Sequence, residues 1–224
     1  MKELLASQKN LWDAQHQRRR PEHKDIADKP NEFANECLKY IPNGAMVLEL
    51  GSASGRNARF FAREKKCKVF ALDFSLTALS HLQEDALADG SADFVQPINA
   101  DINHMPLLEN NILDAIYARS SLHISDSDLE GLLTKALDML KTGGYLMIEG
   151  KIQQDPKIQD SESVTNNLAT DSFGHLRRIW NKEYVMEHII TRFHLKLIKL
   201  DSSHGQTTDI GSRYINFIAQ KNGN

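Results

Sequence analysis

The chain of 224 residues lacks the features that mark several large classes of protein. It has only two cysteines, Cys37 and Cys67, and both lie in apolar segments, so we expect reduced core residues rather than a disulfide or a metal site. No apolar stretch approaches the roughly 20 residues of a membrane span, and the N-terminus has no signal-peptide core. The histidines are scattered without the spacing of metal ligands. These absences predict a cytoplasmic protein with no membrane partner and no metal.

The chain also lacks an excess of positive charge. Its formal net charge is −3 and its sequence pI is about 6.3, which gives no electrostatic reason to expect a nucleic-acid partner. One basic cluster, Arg18 to Arg20 with His23 and Lys24, is interpreted as the solvated end of an N-terminal helix. The oligomeric state stays open between monomer and homodimer.

What the sequence does have is a strand, a turn of small residues and a helix in immediate succession. The apolar run Met46 to Leu48 leads into Glu49, small residues occupy positions 51 to 55, and a helical pattern follows. Such a turn lets the backbone approach a ligand and directs N–H groups at it. The next apolar run ends in Asp73, about 20 residues after the turn, where a carboxylate that binds a ribose belongs.

The spacing of the small residues indicates which nucleotide is bound. The fingerprint G-x-G-x-x-G would need a small residue at position 56, which is arginine. The small residues instead fall at Gly51, Ala53 and Gly55, two residues after Glu49. This pattern resembles the E/D-x-G-x-G-x-G motif of class I methyltransferases that use S-adenosyl-L-methionine (SAM). Alanine replaces the middle glycine, so Ala53 needs either a negative φ or a tolerated strain.

Strands and helices alternate along the chain, which indicates a parallel sheet covered on both faces. Strands are predicted at 46–50, 68–73, 93–98, 112–118 and 145–148, and helices at 2–17, 31–40, 56–65, 75–89, 126–140 and 182–191. Residues 141–144 are predicted to form a turn, and Leu76, Leu79, Leu82 and Leu87 to bury one helix face. Two last apolar segments, 195–200 and 214–220, have a short connection and must pair antiparallel.

These elements predict an α/β fold, a Rossmann-like three-layer sandwich whose mostly parallel seven-stranded sheet ends in an antiparallel strand. The closing pair is similar to the hairpin that ends the sheet of class I methyltransferases. Residues 1–40 are predicted to form an N-terminal helical lid, and 41–224 the methyltransferase domain. Within it, the polar segment 152–181 is too long for an ordinary connection and is predicted to cover the substrate.

The resemblance implies a cofactor site, residue by residue. Glu49 would steady the turn and reach toward the methionine part of SAM, while Gly51, Ser52 and Ala53 bring the backbone against the cofactor and Gly55 lets the helix pack closely. Asp73 would accept hydrogen bonds from both ribose hydroxyls. The remaining cofactor-binding positions implied by the resemblance are Phe74 and Ile102 beside the adenine, Asp101 on its amino group, and Arg119 near the methionine portion. Phe74 as a core residue and Asp101 as a helix cap stay open as alternatives.

The sequence gives fewer indications of which residues bind the methyl acceptor. His123 follows the fourth strand as a candidate catalytic base or orienting group, with a structural histidine as the alternative. His175 is a second catalytic candidate, and Arg177 and Arg178 enter the following helix beside the strand ends, where they could bind an anionic or aromatic acceptor. Trp12 could belong to the lid over the substrate or to the core.

The resemblance therefore implies a methyltransferase that transfers the SAM methyl group to a small molecule, on oxygen, nitrogen or sulfur, by in-line displacement, leaving S-adenosyl-L-homocysteine. The string Gly55 to Ala58 looks like that of tellurite-resistance and thiopurine-type enzymes. The sequence Ala118 to Ser121 lacks the signature of nucleic-acid amino methyltransferases, which also favours a small-molecule acceptor. The alternatives are a SAM-binding regulatory module without turnover and, less favoured, an NAD-type Rossmann oxidoreductase.

Overall fold

The computed structural model describes residues 2–18, 29–106, 108–159, 162–171, 173–205 and 211–223. Of the basic cluster near the N-terminus, Arg18 lies within these ranges, whereas Arg19, Arg20, His23 and Lys24 lie outside them. Residues 19–28 of the predicted lid also fall outside the described residues.

Ten strands occur in the described residues, and seven of them form one sheet. In chain order the strands are β1 Met46–Leu50, β2 Lys68–Asp73, β3 Val95–Asn99, β4 Leu113–Arg119, β5 Leu140–Lys151, β6 Glu162–Thr165, β7 Leu168–Thr170, β8 Leu176–Arg178, β9 Lys196–His204 and β10 Arg213–Gln220. The seven-stranded sheet has the order β3-β2-β1-β4-β5-β10-β9. Its first five strands are parallel, and β10 is antiparallel to both β5 and β9. The predicted fold class is confirmed.

Helices cover both faces of this sheet. They are α1 Lys2–Gln17, α2 Glu32–Cys37, α3 Arg56–Lys65, α4 Leu76–Asp89, α5 Asp126–Met139, α6 Pro156–Gln159 and α7 Lys182–Tyr184. A short 3-10 helix spans Ile102–His104, and α7 continues as a π-helix over Val185–Thr191. One apolar core lies between the sheet and α5 with the π-helix, and the other between the sheet and α2 with α3. Cys37 and Cys67 are buried in the second core and are not bonded to each other.

Two local predictions are wrong for identifiable reasons. Leu76 and Leu87 are 65% and 73% exposed, because Ala78, Leu79, Leu82 and Ala86 form the face of α4 that is buried. Residues 141–144 do not form a separate turn but lie within β5, where the pairing with β4 skips from Leu140 to Tyr145. This bulge is stabilised from the other side, since the N–H of Gly143 donates to the carbonyl of Lys221 at 2.8 Å.

The polar segment 152–181 has its own secondary structure rather than a loop conformation. It contains α6 and a small antiparallel sheet in the order β6-β7-β8. The segment is attached to the end of β5, where the N–H of Trp180 donates to the carbonyl of Lys151 at 2.8 Å. This attachment brings β8 to the edge of the main sheet at which the parallel strands end. Among the described residues, no helix is long and apolar enough to cross a bilayer.

Helix α1 is fastened to the rest of the molecule at two points. The buried side chain of Gln8 donates to the carbonyl of Gly174 at 2.9 Å and accepts the N–H of Leu176 at 2.7 Å. One turn further along, the carboxylate of Asp13 accepts the hydroxyl of Ser75, the N-cap of α4, at 2.6 Å. Helix α1 therefore spans from the small sheet to α4, over the carboxyl ends of the main strands.

Candidate functional site

A cavity of about 980 Å³ opens at the carboxyl ends of the parallel strands, and α1 forms one of its walls. Ten of the residues predicted for the site line it: Trp12, Gly51, Ala53, Asp73, Phe74, Asp101, Ile102, Arg119, His123 and Arg177. Five others do not: Glu49, Ser52, Gly55, His175 and Arg178. The strand ends thus bring together most of the predicted residues, because parallel strands all end at the same edge of the sheet.

The turn after β1 is tied to the end of β2. The N–H groups of Gly51 and Ser52 both donate to the carbonyl of Leu72, at 2.8 and 2.9 Å. Gly51 has φ of 73°, and a Cβ added there would lie 2.2 Å from the Cβ of Ser121. Gly55 has φ of 72° and leaves room for Leu82, whose Cδ1 would lie 2.0 Å from an added Cβ. Both glycines are therefore required by backbone conformation and by close packing.

Ala53 has a strained backbone conformation, which was one of the two alternatives predicted for this position. Its φ is 49°, in the left-handed region that costs an L-residue with a Cβ roughly 1–2 kcal/mol. This conformation directs its N–H at the carboxylate of Asp73, with a distance of 2.8 Å to Oδ2. The strain is thus coupled to a contact between the turn and the end of β2.

Replacing Ala53 with glycine is expected to raise the free energy of unfolding by about 0.5–1 kcal/mol. Glycine removes the left-handed penalty, and its own loss of chain entropy offsets only part of the gain. Urea unfolding followed by circular dichroism measures the change. The matched control is Ala58→Gly in the interior of α3, which is expected to lower stability by about 1 kcal/mol or more. Equal losses in the two variants would contradict strain at Ala53.

The carboxylate of Asp73 organises the loops on both sides of it. Oδ2 accepts the N–H of Ala53 at 2.8 Å, and Oδ1 accepts the N–H of Ser75 at 2.9 Å. Asp73 is 8% exposed, and its exposed part lines the cavity. Because a carboxylate oxygen can accept two hydrogen bonds, each oxygen retains acceptor capacity toward the cavity.

Glu49 is a buried acid with an incomplete hydrogen-bond shell. It is 2% exposed, its Oε1 accepts the Asn57 amide at 3.3 Å, and its Oε2 has no hydrogen-bond partner among the described residues. Burial raises the pKa of Glu49 to about 8. Asn57 in turn accepts a hydrogen bond from Asn31 at 3.2 Å, and Asn31 donates to the hydroxyl of Tyr117 at 3.1 Å. A buried polar chain therefore links the N-cap of α2 to the acid beside the glycine turn.

The residues after β2 and β3 form the wall around Asp73. Phe74 is half-buried, and its carbonyl accepts the Asn99 amide at 2.9 Å. Asp101 is exposed and caps the 3-10 helix by accepting the N–H of Asn103 at 2.9 Å. Ile102 is half-buried and, like Phe74, lines the cavity. Asp101 is thus both a cap and a cavity residue.

Arg119, at the end of β4, is held by two neighbouring strands. Its Nε donates to Glu149 at 2.8 Å, and its terminal nitrogen donates to the hydroxyl of Tyr214 at 3.2 Å. Ser120, the next residue, has φ of 47°, and Ser121 donates to the carbonyl of Leu50 at 2.5 Å. This edge therefore has a strained backbone that is locked onto the end of β1.

The proton on His123 can be assigned from its contacts. Its Nδ1 accepts the N–H of Arg178 at 3.1 Å, so the neutral ring carries its hydrogen on Nε2. Nε2 is buried and has no hydrogen-bond partner among the described residues. Burial lowers the pKa of His123 well below its ordinary value, and the positive charge of Arg177 lowers it further. In this tautomer Nε2 can donate a hydrogen bond but cannot accept a proton.

Trp12 from α1 packs against the residues of the acceptor side. Its indole lies parallel to the ring of His123 at 6.0 Å between centroids, and the guanidinium of Arg177 lies 4.7 Å from the indole centroid. His175 packs against the same indole at 4.5 Å and does not line the cavity. The expected catalytic role of His175 is therefore not supported by its position. Its side chain is buried against Trp12 and does not face the cavity.

Arg178 has a structural environment instead of the expected contact with an acceptor. Its side chain is fully buried, donates to the carbonyl of Ile124 at 2.8 Å and pairs with Asp126. The guanidinium also stacks on the rings of Trp180 and Tyr184. Alternate residues of a strand face opposite sides, so Arg177 and Arg178 in β8 cannot both face the cavity. Arg178 joins the small sheet to α5.

The cavity residues that the sequence predictions missed include Lys151 and Tyr214. Lys151 ends β5, donates to Asp155 at 2.8 Å and to Ser212 at 3.1 Å, and lies 4.6 Å from the ring centroid of Tyr214. Lys151 could have been predicted as a site residue, because a lysine at the end of an apolar strand is visible in the sequence. Tyr214 had none, since it lies at the start of an antiparallel strand and reaches this edge only through the reversal of β10.

Comparison with known proteins identifies a family that this chain resembles. The methyltransferase-domain family model matches residues 47–144, which include the glycine turn, Asp73, Asp101, Arg119 and His123. The sarcosine/dimethylglycine N-methyltransferase of Aphanothece halophytica is 25% identical over 138 residues, which are 61% of this chain and 49% of that protein. The chain spans about half the length of the first curated relatives that it matches.

Solved structures share the fold over most of the chain. The 1,6-didemethyltoxoflavin-N1-methyltransferase of Burkholderia thailandensis, solved with S-adenosylhomocysteine, is 15% identical, with a TM-score of 0.64 and coverage of 96% of this chain and 88% of that one. The cyclase SpnF is 16% identical, with a TM-score of 0.69 and coverage of 88% and 82%. Because the same fold supports different reactions, the fold alone does not specify the chemistry.

Proposed function

We propose that this chain, a member of the class I SAM-dependent methyltransferases, binds SAM in the cavity at the strand ends and transfers its methyl group to a small-molecule acceptor. The observation that carries the proposal is the coupling of the glycine turn to Asp73. The Ala53 N–H, in a strained conformation, fixes one carboxylate oxygen beside a cavity of about 980 Å³. A ligand with a ribose diol would use the acceptor capacity that remains on this carboxylate.

Two observations support the fit of SAM to the residues present. Gly51 has no side chain, so its backbone lines the cavity directly. Glu49 and Ser52 each have a buried oxygen without a hydrogen-bond partner among the described residues. In the proposal, Asp73 binds the ribose, Phe74, Asp101 and Ile102 surround the adenine, and the remaining cofactor residues are those after β1 and β4: Glu49, Gly51, Ser52, Ala53, Gly55 and Arg119.

The acceptor is proposed to bind between Trp12, His123 and Arg177, with α1 as a lid over it. Bound SAM supplies a methyl group on a sulfonium sulfur, and in-line displacement transfers it. The contribution of the chain is positioning in a site shielded from water, which can supply about 7–11 kcal/mol. The two attachments of α1, through Gln8 and Asp13, shield the site in this way.

Incubation of the protein with methyl-labelled SAM and a metabolite extract tests the proposal. We expect label in small metabolites and formation of S-adenosyl-L-homocysteine, and we expect calorimetric titration to show that this product binds. Binding without any methyl incorporation would favour the regulatory module. Absence of binding at high micromolar ligand would refute the proposal altogether.

A nicotinamide cofactor is the alternative that the geometry disfavours. Arg56 stands where the third glycine of the dinucleotide turn would pack, and its side chain lines the cavity. Calorimetric titration with NAD under the same conditions gives the comparison. Binding of NAD in preference to S-adenosyl-L-homocysteine would reverse the assignment.

A further inference from the structure

Side chains of both signs line the cavity, and three of the cations lie together at one end. The lining carboxylates of the described chain are Asp73 and Asp101, which follow β2 and β3. At the other end, where β5, β8 and β10 meet, the lining has three partly or fully buried cations: Arg119, Lys151 and Arg177. Each is paired with a carboxylate that does not line the cavity, and these partners are Glu149, Asp155 and Asp171. This second end therefore has three ion pairs whose cationic members line the cavity.

Arg177 has hydrogen-bonding capacity to spare at this end. Its Nε donates to Asp171 at 2.9 Å, and its guanidinium stacks on Trp12. No described residue accepts a hydrogen bond from its two terminal nitrogens. A guanidinium held from behind by a carboxylate and flat against an indole is oriented before a ligand arrives, and its free edge matches a carboxylate or a phosphate.

His123 adds a second hydrogen-bond donor at this end, and this donor is an uncharged ring N–H. Its Nδ1 is engaged by the N–H of Arg178, so its buried Nε2–H is the donor that still lacks an acceptor. The ring shares the indole of Trp12 with Arg177, which places the two donors on one patch of the cavity wall. A buried N–H without an acceptor is costly unless a ligand supplies one.

We propose that the acceptor carries an anionic oxygen group, a carboxylate or a phosphate, which Arg177 binds through its terminal nitrogens and His123 through its Nε2–H. This inference rests on the proposed function and adds to it the class of acceptor. Lys151 and Arg119 contribute positive potential to the same end without giving up their own partners.

The test uses three aromatic probes of similar shape: benzoate, phenyl phosphate and the neutral benzamide. Each is titrated by calorimetry into protein saturated with S-adenosyl-L-homocysteine. We expect benzoate or phenyl phosphate to bind at least about tenfold more tightly than benzamide, since hydrogen bonds to charged groups are the stronger ones. Whichever anion binds more tightly distinguishes the carboxylate from the phosphate.

Variants locate the binding group. Arg177→Gln combined with Asp171→Asn avoids leaving a buried carboxylate without its partner, and it is expected to lose at least about tenfold in affinity for the preferred anion while benzamide binding changes little. The matched control is Arg192→Gln, an exposed arginine paired with Glu130 away from the cavity, which is expected to change neither. His123→Gln keeps a donor near the Nε2 position and is expected to retain more affinity than His123→Leu.

The outcomes separate this inference from the proposed function. If S-adenosyl-L-homocysteine does not bind, the proposed function fails and the inference fails with it. If it binds but benzamide binds as tightly as both anions, or none of the three probes binds at millimolar concentration, the inference alone is refuted. Unchanged anion affinity in the double variant would refute the role of Arg177.

Discussion

Asp73→Ala is expected to weaken the binding of S-adenosyl-L-homocysteine by at least about 100-fold. The carboxylate supplies two acceptors for the ribose diol, and hydrogen bonds to a charged group contribute about 1.5–3 kcal/mol each, where 1.4 kcal/mol is tenfold. Part of the loss reflects the turn itself, because Oδ2 also accepts the Ala53 N–H and Oδ1 the Ser75 N–H. Calorimetric titration of the variant and the wild-type protein gives the two dissociation constants.

A second ligand separates the ribose contact from the effect on the turn. An analogue of S-adenosyl-L-homocysteine without the two ribose hydroxyls is expected to bind the wild-type protein weakly and to lose little more in the variant. The matched control is Asp114→Ala, since Asp114 also accepts a backbone N–H, that of Met46 at 2.8 Å, but at the opposite end of the sheet. Equal losses for both ligands in Asp73→Ala would contradict the ribose contact.

Binding of SAM is expected to tighten as the pH rises toward about 8 and to release a proton from Glu49. Burial raises the pKa of this carboxyl to about 8, so at pH 7 it is mostly protonated in the free protein. If the cationic methionine part of SAM lies beside it, the carboxylate form is favoured and the pKa falls on binding. Affinity then rises roughly tenfold per pH unit between the two pKa values and levels off above about pH 8.

The same shift has the opposite sign for the stability of the free protein. A carboxyl whose pKa is higher in the folded state than in the unfolded state makes stability fall as the pH rises from about 4.5 to about 8. Glu49→Gln keeps an acceptor for the Asn57 amide and is expected to flatten both pH profiles. Calorimetry in buffers of different ionisation enthalpy measures the released proton. A variant that releases as many protons as the wild type would exclude Glu49 as their source.

Much of the fold follows from local sequence signals. The strands of the parallel sheet are short apolar runs bounded by turn residues, and they alternate with helices of ordinary length, so their order and direction follow. Helix α4 begins where the sequence predicts it, and its N-cap is Ser75, whose hydroxyl accepts the N–H of Ala78. Its buried face was mispredicted at Leu76 and Leu87 because apolar periodicity cannot tell which of several adjacent stripes meets the sheet.

The site was predictable where it depends on the ends of parallel strands. The turn at Gly51, Asp73, Asp101, Arg119 and His123 all lie at or just after the end of such a strand, and all five line one cavity. Prediction failed for residues that lie at this edge of the sheet but do not come from the end of a parallel strand. Tyr214 arrives through the reversal of β10, and Arg177 and Arg178 were separated by strand alternation in a segment that had no clear period.

The sequence by itself determined the alternating fold, the glycine turn with its acid at the end of β2, and the argument from Arg56 against a dinucleotide, because each depends on residues close in the chain. The tertiary structure decided the acceptor side. It placed Trp12 from α1 against His123 and Arg177, fixed the proton of His123 on Nε2 through the N–H of Arg178, and turned Arg178 away from the cavity. These contacts join residues more than 50 positions apart, and no local pattern carries such information.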